Sequence, residues 1–159
     1  MLAAPAAGDR AVASRERTLD KQLLTQLNAV RREHGLRKLT ISGHLNAAAD
    51  GHSLEMAYDG YFDHASRNGT SFWKRLERYY PASGYRHWEV GENLLWQSPE
   101  LTAPEAIKLW MASPPHRQNM LDRDWREVGI SAVRVESGSG PYKGLTAILV
   151  TLDFGTRTK

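Results

Sequence analysis

The stretch Leu145-Thr146-Ala147-Ile148-Leu149-Val150-Thr151-Leu152-Asp153-Phe154 decides the fold class. It is long, apolar and rich in β-branched residues, which predicts a strand. Between Ala147 and Leu152 it is apolar on both faces. A strand patterned this way is covered on both sides, so helices must lie above and below its sheet. Upstream, Val128–Val135 alternates and is β-branched, a second strand. Ser137-Gly138-Ser139-Gly140-Pro141 between them reads as a hairpin turn rather than a phosphate cradle. Helical patterns dominate the first two thirds of the chain. Helices first and strands last predict an α+β fold, here a three-layer α-β-α sandwich around a small antiparallel central sheet.

Working back from that strand, the helical segments have recognisable limits. Leu23, Leu24, Leu27 and Val30 keep helical spacing from Thr18 onward, and Gly35 suits the position just past a helix end. A second helix is predicted from about Gly43 to Asp59, with Leu45, Ala48, Ala49, His52 and Met56 on one stripe and Gly60 closing it. A third is predicted near Ser71–Tyr80, stopped by Pro81. Thr102-Ala103-Pro104-Glu105 is a capping box with Pro in the first turn, opening a helix through about Met111. Ser113-Pro114-Pro115-His116 is expected to break that helix, with one more turn at Arg117–Leu121. Trp88–Trp96 reads as a loop entering a strand. Residues 1–17 have no hydrophobic period and read as a disordered leader or the stub of a trimmed signal peptide, with a single domain over residues 18–159.

Composition narrows the chemistry. The chain has 159 residues, no Cys, six His and a formal net charge of +3. That length can bury a core without disulfides. The missing Cys excludes thiol nucleophiles, iron–sulfur clusters and Cys-based zinc sites, so any metal must rest on His, carboxylate or backbone oxygen. The densest basic stretch, Arg31 to Lys38, coincides with a helix end, where cations suit the dipole. No aromatic residues interleave it, and no nucleic-acid partner is expected. No apolar run approaches the length needed to span a membrane. HExxH, Gly-rich phosphate-loop and GxSxG patterns are absent. Asn68-Gly69-Thr70 fits a glycosylation acceptor, but Asn-Gly is also a turn signal.

Four of the six His have structural readings. His44 and His52 are eight residues apart on one helix, about 12 Å along its axis, too far to share a metal. His52 faces the core or its boundary, His34 suits a helix end, and His87 lies in a loop. His64 and His116 stand apart because both sit in turn-rich segments, where function concentrates. Glu92 lies between Gly91 and Asn93 in an otherwise apolar strand entry. A carboxylate there must be hydrogen-bonded, ion-paired or metal-linked.

At these residues the sequence resembles the CAP superfamily (cysteine-rich secretory, antigen 5 and pathogenesis-related proteins), most closely its bacterial SCP-like branch. The matching pieces run in order: Leu24–Gly35, Leu45–Ala49, Tyr61-Phe62-Asp63-His64, Gly91-Glu92-Asn93-Leu94, Trp110–Leu121, Glu127–Ile130 and Val150–Gly155. The resemblance implies the sandwich with a large cleft lined by two His and two acids. By motif, His64 and His116 are the two His and Glu92 is one acid. The other acid's position, three residues after Trp110, is Ser113, which departs from the full tetrad but suits the bacterial form. Asn93, Ser113, Arg117 and Asn119 are expected to line the cleft.

Two imidazoles can hold a weakly bound divalent metal such as zinc, with Glu92 as a third ligand or as a base for bound water. This expects a secreted, monomeric binding module with a metal cofactor and a peptide or lipid ligand. The alternatives are a metal-dependent hydrolase using His64, His116 and Glu92, and a sterol- or lipid-binding protein. For lipid, Tyr79, Tyr80, Tyr85, Trp88 and Trp96 would need to form one exposed apolar face; otherwise they pack the core.

Overall fold

A computed structural model describes residues 11–159. In chain order the elements are β1 (Val12–Arg15), α1 (Arg17–Glu33), β2 (Thr40–Ile41), α2 (Gly43–Asp59), α3 (Phe72–Tyr79), β3 (His87–Gln97), α4 (Ala103–Ala112), α5 (Pro114–Leu121), β4 (Glu127–Glu136) and β5 (Ala147–Thr158). A 3₁₀ turn at Gly140–Tyr142 lies in the hairpin between β4 and β5. The strands run in the order β1-β4-β5-β3, all antiparallel, while the two residues of β2 add to β4 in parallel.

β5 is covered on both sides, as its composition requires. Ile148, Val150, Leu152 and Phe154 pack with Leu19, Leu23 and Leu27 of α1 and with Ala106, Ile107 and Trp110 of α4. Ala147 and Leu149 pack the other way, with Met56 and Ala57 of α2. Side chains alternate across a strand, so adjacent residues feed opposite layers. Burying each large aliphatic side chain contributes about 2 kcal/mol.

α2 lies close against the sheet because its inward stripe is small. At Gly129 of β4, an added Cβ would sit 2.1 Å from the Leu45 carbonyl carbon, so only glycine admits this approach. Ser42 caps the helix by accepting from the Leu45 N–H, and Gly60 ends it in the left-handed region at φ 65°.

The structure corrects several expectations. Of the segment read as a leader, residues 1–10 lie outside the described residues, but Val12–Arg15 pair in register with Val133–Glu136 and α1 begins at Arg17. The short strand was invisible because its four residues are mostly exposed and carry no hydrophobic period. Ser113 ends α4, but α5 begins at once at Pro114, since prolines in the first turn need no N–H partner and have φ preset for a helix. His116 is therefore on a helix, not in a loop. Trp88 is already inside β3. Within the basic stretch, Arg31 is fully buried and binds backbone carbonyls, with Nε on Arg37 O at 2.9 Å and Nη1 on Met120 O at 2.9 Å and Asp122 O at 2.8 Å. It clamps the end of α5 to α1 rather than decorating a helix end. The Thr102–Glu105 capping box forms as read, and Gly69 at φ 85° lies in a turn closed by its N–H to Ser66 O at 2.8 Å.

Candidate functional site

The site straddles β3, the edge strand of the sheet. Successive residues of β3 point to opposite faces. Glu92 turns toward α3 and the loop after α2, whereas Asn93 turns toward α5.

His64 sits in the loop after α2, and that loop is tied down at several points. Tyr142 Oη donates to Tyr61 O at 2.7 Å, His52 Nε2 lies 2.8 Å from Asp63 O, and Arg75 Nη2 donates to His64 O at 3.1 Å. The ring is therefore held by the scaffold. Its Nδ1 lies 2.8 Å from Glu92 Oε1, while about half the side chain stays exposed (49%). The hydrogen bond to Glu92, partly opposed by burial, raises the His64 pKa above 6.5.

Glu92 itself is closed off from solvent. Oε1 faces His64, and Oε2 accepts from Arg75 Nη2 at 2.7 Å. Burial alone would raise its pKa, but the His64 hydrogen bond and the Arg75 guanidinium outweigh it and hold the carboxyl below 4.5. Glu92 thus orients His64 through one oxygen and pairs with Arg75 through the other. Among the described residues no three His, Cys, Asp or Glu side chains form a metal-holding group.

The sequence reading missed two members. Arg75 on α3 is only 6% exposed, and Asp153 on β5 is fully buried. Asp153 pairs with Glu92 in the β3–β5 register, and its Oδ2 lies 3.9 Å from Arg75 Nη1. Burial, then the charge of Glu92, push its carboxyl well above 3.8. A second carboxyl thus lies buried beside Glu92, supplied by β5 rather than by the Ser113 position. The argument applied to Glu92, a carboxylate inside an apolar strand, applied equally to Asp153 and was the available signal.

His116 is placed from the other face. Asn93 is fully buried, and its Nδ2 donates to His116 O at 3.0 Å. Asn119 Nδ2 donates to Asn93 Oδ1 at 2.9 Å and to Glu92 O at 3.2 Å, while Trp125 Nε1 holds Asn119 O at 3.0 Å. At Gly91 an added Cβ would come 2.9 Å from the Trp125 ring, so glycine lets this tryptophan close the lashing. Asn93 is buried and Asn119 half-buried, and both hydrogen-bond to the protein. Arg117 is exposed and borders a shallow surface groove beside Met111 and Leu121. Ser113 Oγ lies 2.7 Å from His116 Nδ1, so it takes the orienting role that Glu92 has for His64. Burial and the charge of His64 lower the His116 pKa below 6.5.

The aromatic residues do not make a single exposed face. Tyr80 is fully buried, Trp88 packs beside it, and Trp96 meets the Tyr142 ring edge-on at 5.2 Å. Tyr85 stands under the Arg157 guanidinium, and only Tyr79 of this set is exposed.

A family model described as "CAP: Cysteine-rich secretory protein family" matches residues 24–154. Two proteins of Bacillus subtilis (strain 168) are each 32% identical to the chain: the uncharacterized membrane protein YlbC over 118 residues, and the uncharacterized protein YkwD over 120. These alignments cover 74% and 76% of the chain but only 32% and 44% of the relatives, so the chain spans less than half of either. A crystal structure of an extracellular protein containing an SCP domain, from Bacillus anthracis str. Ames, aligns with a TM-score of 0.67 and 26% identity, over 91% of this chain and 41% of its own.

Proposed function

The chain belongs to the CAP, or cysteine-rich secretory protein, family, and on that premise we propose that it is an extracellular binding module whose cleft holds a divalent, zinc-like ion through His64 and His116. One observation carries this reading. Each imidazole has its Nδ1 engaged by a protein oxygen, Glu92 Oε1 for His64 and Ser113 Oγ for His116, which leaves both Nε2 atoms for a ligand. Metal-binding His residues are typically fixed in this way by a partner on the other ring nitrogen. Two His and solvent make an open, weak site, and a bound ion there would supply coordination positions for a donor atom of the binding partner.

The geometry favours binding over hydrolysis. A hydrolytic site needs a base within reach of water, and the Glu92 side chain is shut off from solvent. No helix among the described residues is long and apolar enough to cross a membrane. An extracellular location rests on the family and on the extracellular SCP protein of similar fold.

Calorimetric titration with zinc tests the reading. Binding is expected in the native chain, with large losses in His64→Ala and in His116→Ala. Undiminished binding by the double variant would overturn it.

A further inference from the structure

A groove runs along α1 where the helix passes β2, on the sheet edge opposite β3. Its main hollow occupies about 550 Å³ between α1 and the chain from Leu36 to Ile41. A smaller one of about 180 Å³ adjoins it and shares Leu24 and Ile41 as walls. On the α1 side, Lys21, Leu24, Thr25, Asn28, Ala29 and Arg32 recur every three or four residues, so they form one stripe. Leu24 and Ala29 make its middle apolar, and a cation stands at each end, about 16 Å apart along the axis. The facing side repeats the pattern with Leu36, Ile41 and the cation Lys38. Ile41 is 42% exposed. Its backbone also fronts the groove. The N–H groups of Thr40 and Ser42 turn to β4, bonding Arg126 O at 3.2 Å and Val128 O at 3.0 Å, whereas Leu39 N–H and C=O turn the other way, to the Asn28 side chain. Peptide groups alternate along a strand, so those of Ile41 point as Leu39 does.

The charges do not cancel within this groove. The one carboxylate lining it, Asp20, accepts from Ala132 N–H and pairs with Arg17, which also pairs with Asp50. Glu127, opposite Thr40 in the β2–β4 register, accepts from the Tyr80 hydroxyl. Glu33 follows Arg32 on α1 but lies off the stripe. Asn28 and Asn46 commit their oxygens to Leu39 N–H and Ile130 N–H, so the neutral side-chain acceptors left are the Thr25 and Thr40 hydroxyls. Lys21, Arg32 and Lys38 have no side-chain ion pair or hydrogen bond among the described residues.

From three unpaired cations set around an apolar floor, we propose that the α1–β2 groove docks an acidic, extended peptide segment of a partner protein. At 3.3 Å per residue, about five residues span the distance between the end cations. Aliphatic side chains of the segment cover Leu24, Ala29 and Leu36, carboxylates at its two ends meet Lys21, Arg32 and Lys38, and Ile41 offers a strand-like pair of backbone hydrogen bonds. No aromatic residue lines the groove for bases to stack on, which favours a peptide over single-stranded nucleic acid. The groove shares no residue with the His64–His116 pair, so this docking is independent of metal binding.

The probe is the end-capped peptide Glu-Leu-Thr-Leu-Glu, titrated into the full chain and followed by the amide shifts of Ala29, Leu36 and Ile41. Saturation is expected with a Kd on the order of 1 mM or tighter, weakening as salt is raised. The double variant Arg32→Glu with Lys38→Glu should bind at least tenfold more weakly, and so should Ile41→Asp. All three side chains are exposed, and an unchanged melting temperature shows that the fold is kept. Lys74→Glu, an exposed cation on α3, and the double variant His64→Ala with His116→Ala should bind as the native chain does, the latter whether or not zinc binds. The charge-reversed peptide Lys-Leu-Thr-Leu-Lys should not bind. Four results would each overturn the proposal: shifts that do not saturate, equal binding of the charge-reversed peptide, undiminished binding in the Arg32/Lys38 double variant, or tighter binding of oligothymidylate than of the acidic peptide.

Discussion

Glu92 and Asp153 face each other across the β3–β5 ladder, two carboxyls buried side by side with one guanidinium, Arg75, between them and the α3 backbone. Their environments push the two pKa values apart, Glu92 down and Asp153 up. The hydrogen bond from His64 and the charge of Arg75 favour Glu92, while Asp153 receives the burial penalty and the field of Glu92.

This division predicts unequal responses to isosteric neutralisation. The raised pKa of Asp153 disfavours its charged form, so Asp153→Asn should change stability by less than about 1 kcal/mol at pH 7. Glu92→Gln removes the partner of a buried cation and should cost about 3 kcal/mol. Urea denaturation of both variants checks this, and equal losses would mean that Asp153 is charged.

The His64–Glu92 pair also sets a pH dependence. Because the folded pKa of His64 is raised, its contribution to stability is fully present below the unfolded value near 6.5 and is lost as pH rises through the folded value. Stability measured from pH 6 upward should therefore fall through that window in the native chain. In His64→Gln this component of the slope should vanish.

Ser113 is expected to matter for metal affinity and little for folding. It supplies the oxygen that orients His116, and loss of such outer partners lowers metal affinity by about 10- to 100-fold. Zinc calorimetry on Ser113→Ala should show a drop of that order with an unchanged melting temperature. Full retention of affinity would remove Ser113 from the site.

Arg31 carries a structural load far from the cleft chemistry. Its guanidinium bonds three backbone carbonyls, two of them at the end of α5. Arg31→Met should cost about 3 kcal/mol, since buried carbonyls lose their donors. It should also loosen α5, read as faster amide exchange at Met120 and Asp122.

The Thr102 cap offers a calibrating case. Thr102→Ala removes the acceptor for Glu105 N–H and breaks the reciprocal box. A loss of about 1 kcal/mol is expected, or about 2–4 °C in melting temperature for a chain of this size.

Much of this molecule is legible along the chain. The two-sided cover of β5, the α2 stripe from Leu45 to Met56 and the Thr102 cap all follow from spacing that repeats within one element. His64, Glu92 and His116 were singled out from their motifs; the structure pairs His64 with Glu92 and sets His116 against Ser113. The same reading failed for β1, whose residues are mostly exposed and have no period. It failed again at α5, where two prolines looked like a break and were instead a first turn.

The sequence by itself determined the layers and the caps, because these depend on residues within a few positions of each other. Only the tertiary structure decided that Arg75 and Asp153 share a site with Glu92, that Ser113 rather than an acid orients His116, and that Arg31 is a buried clamp. Those outcomes depend on strand register and on which side chains are shut off from water. Both are set by contacts between segments tens of residues apart, where local periodicity carries no information.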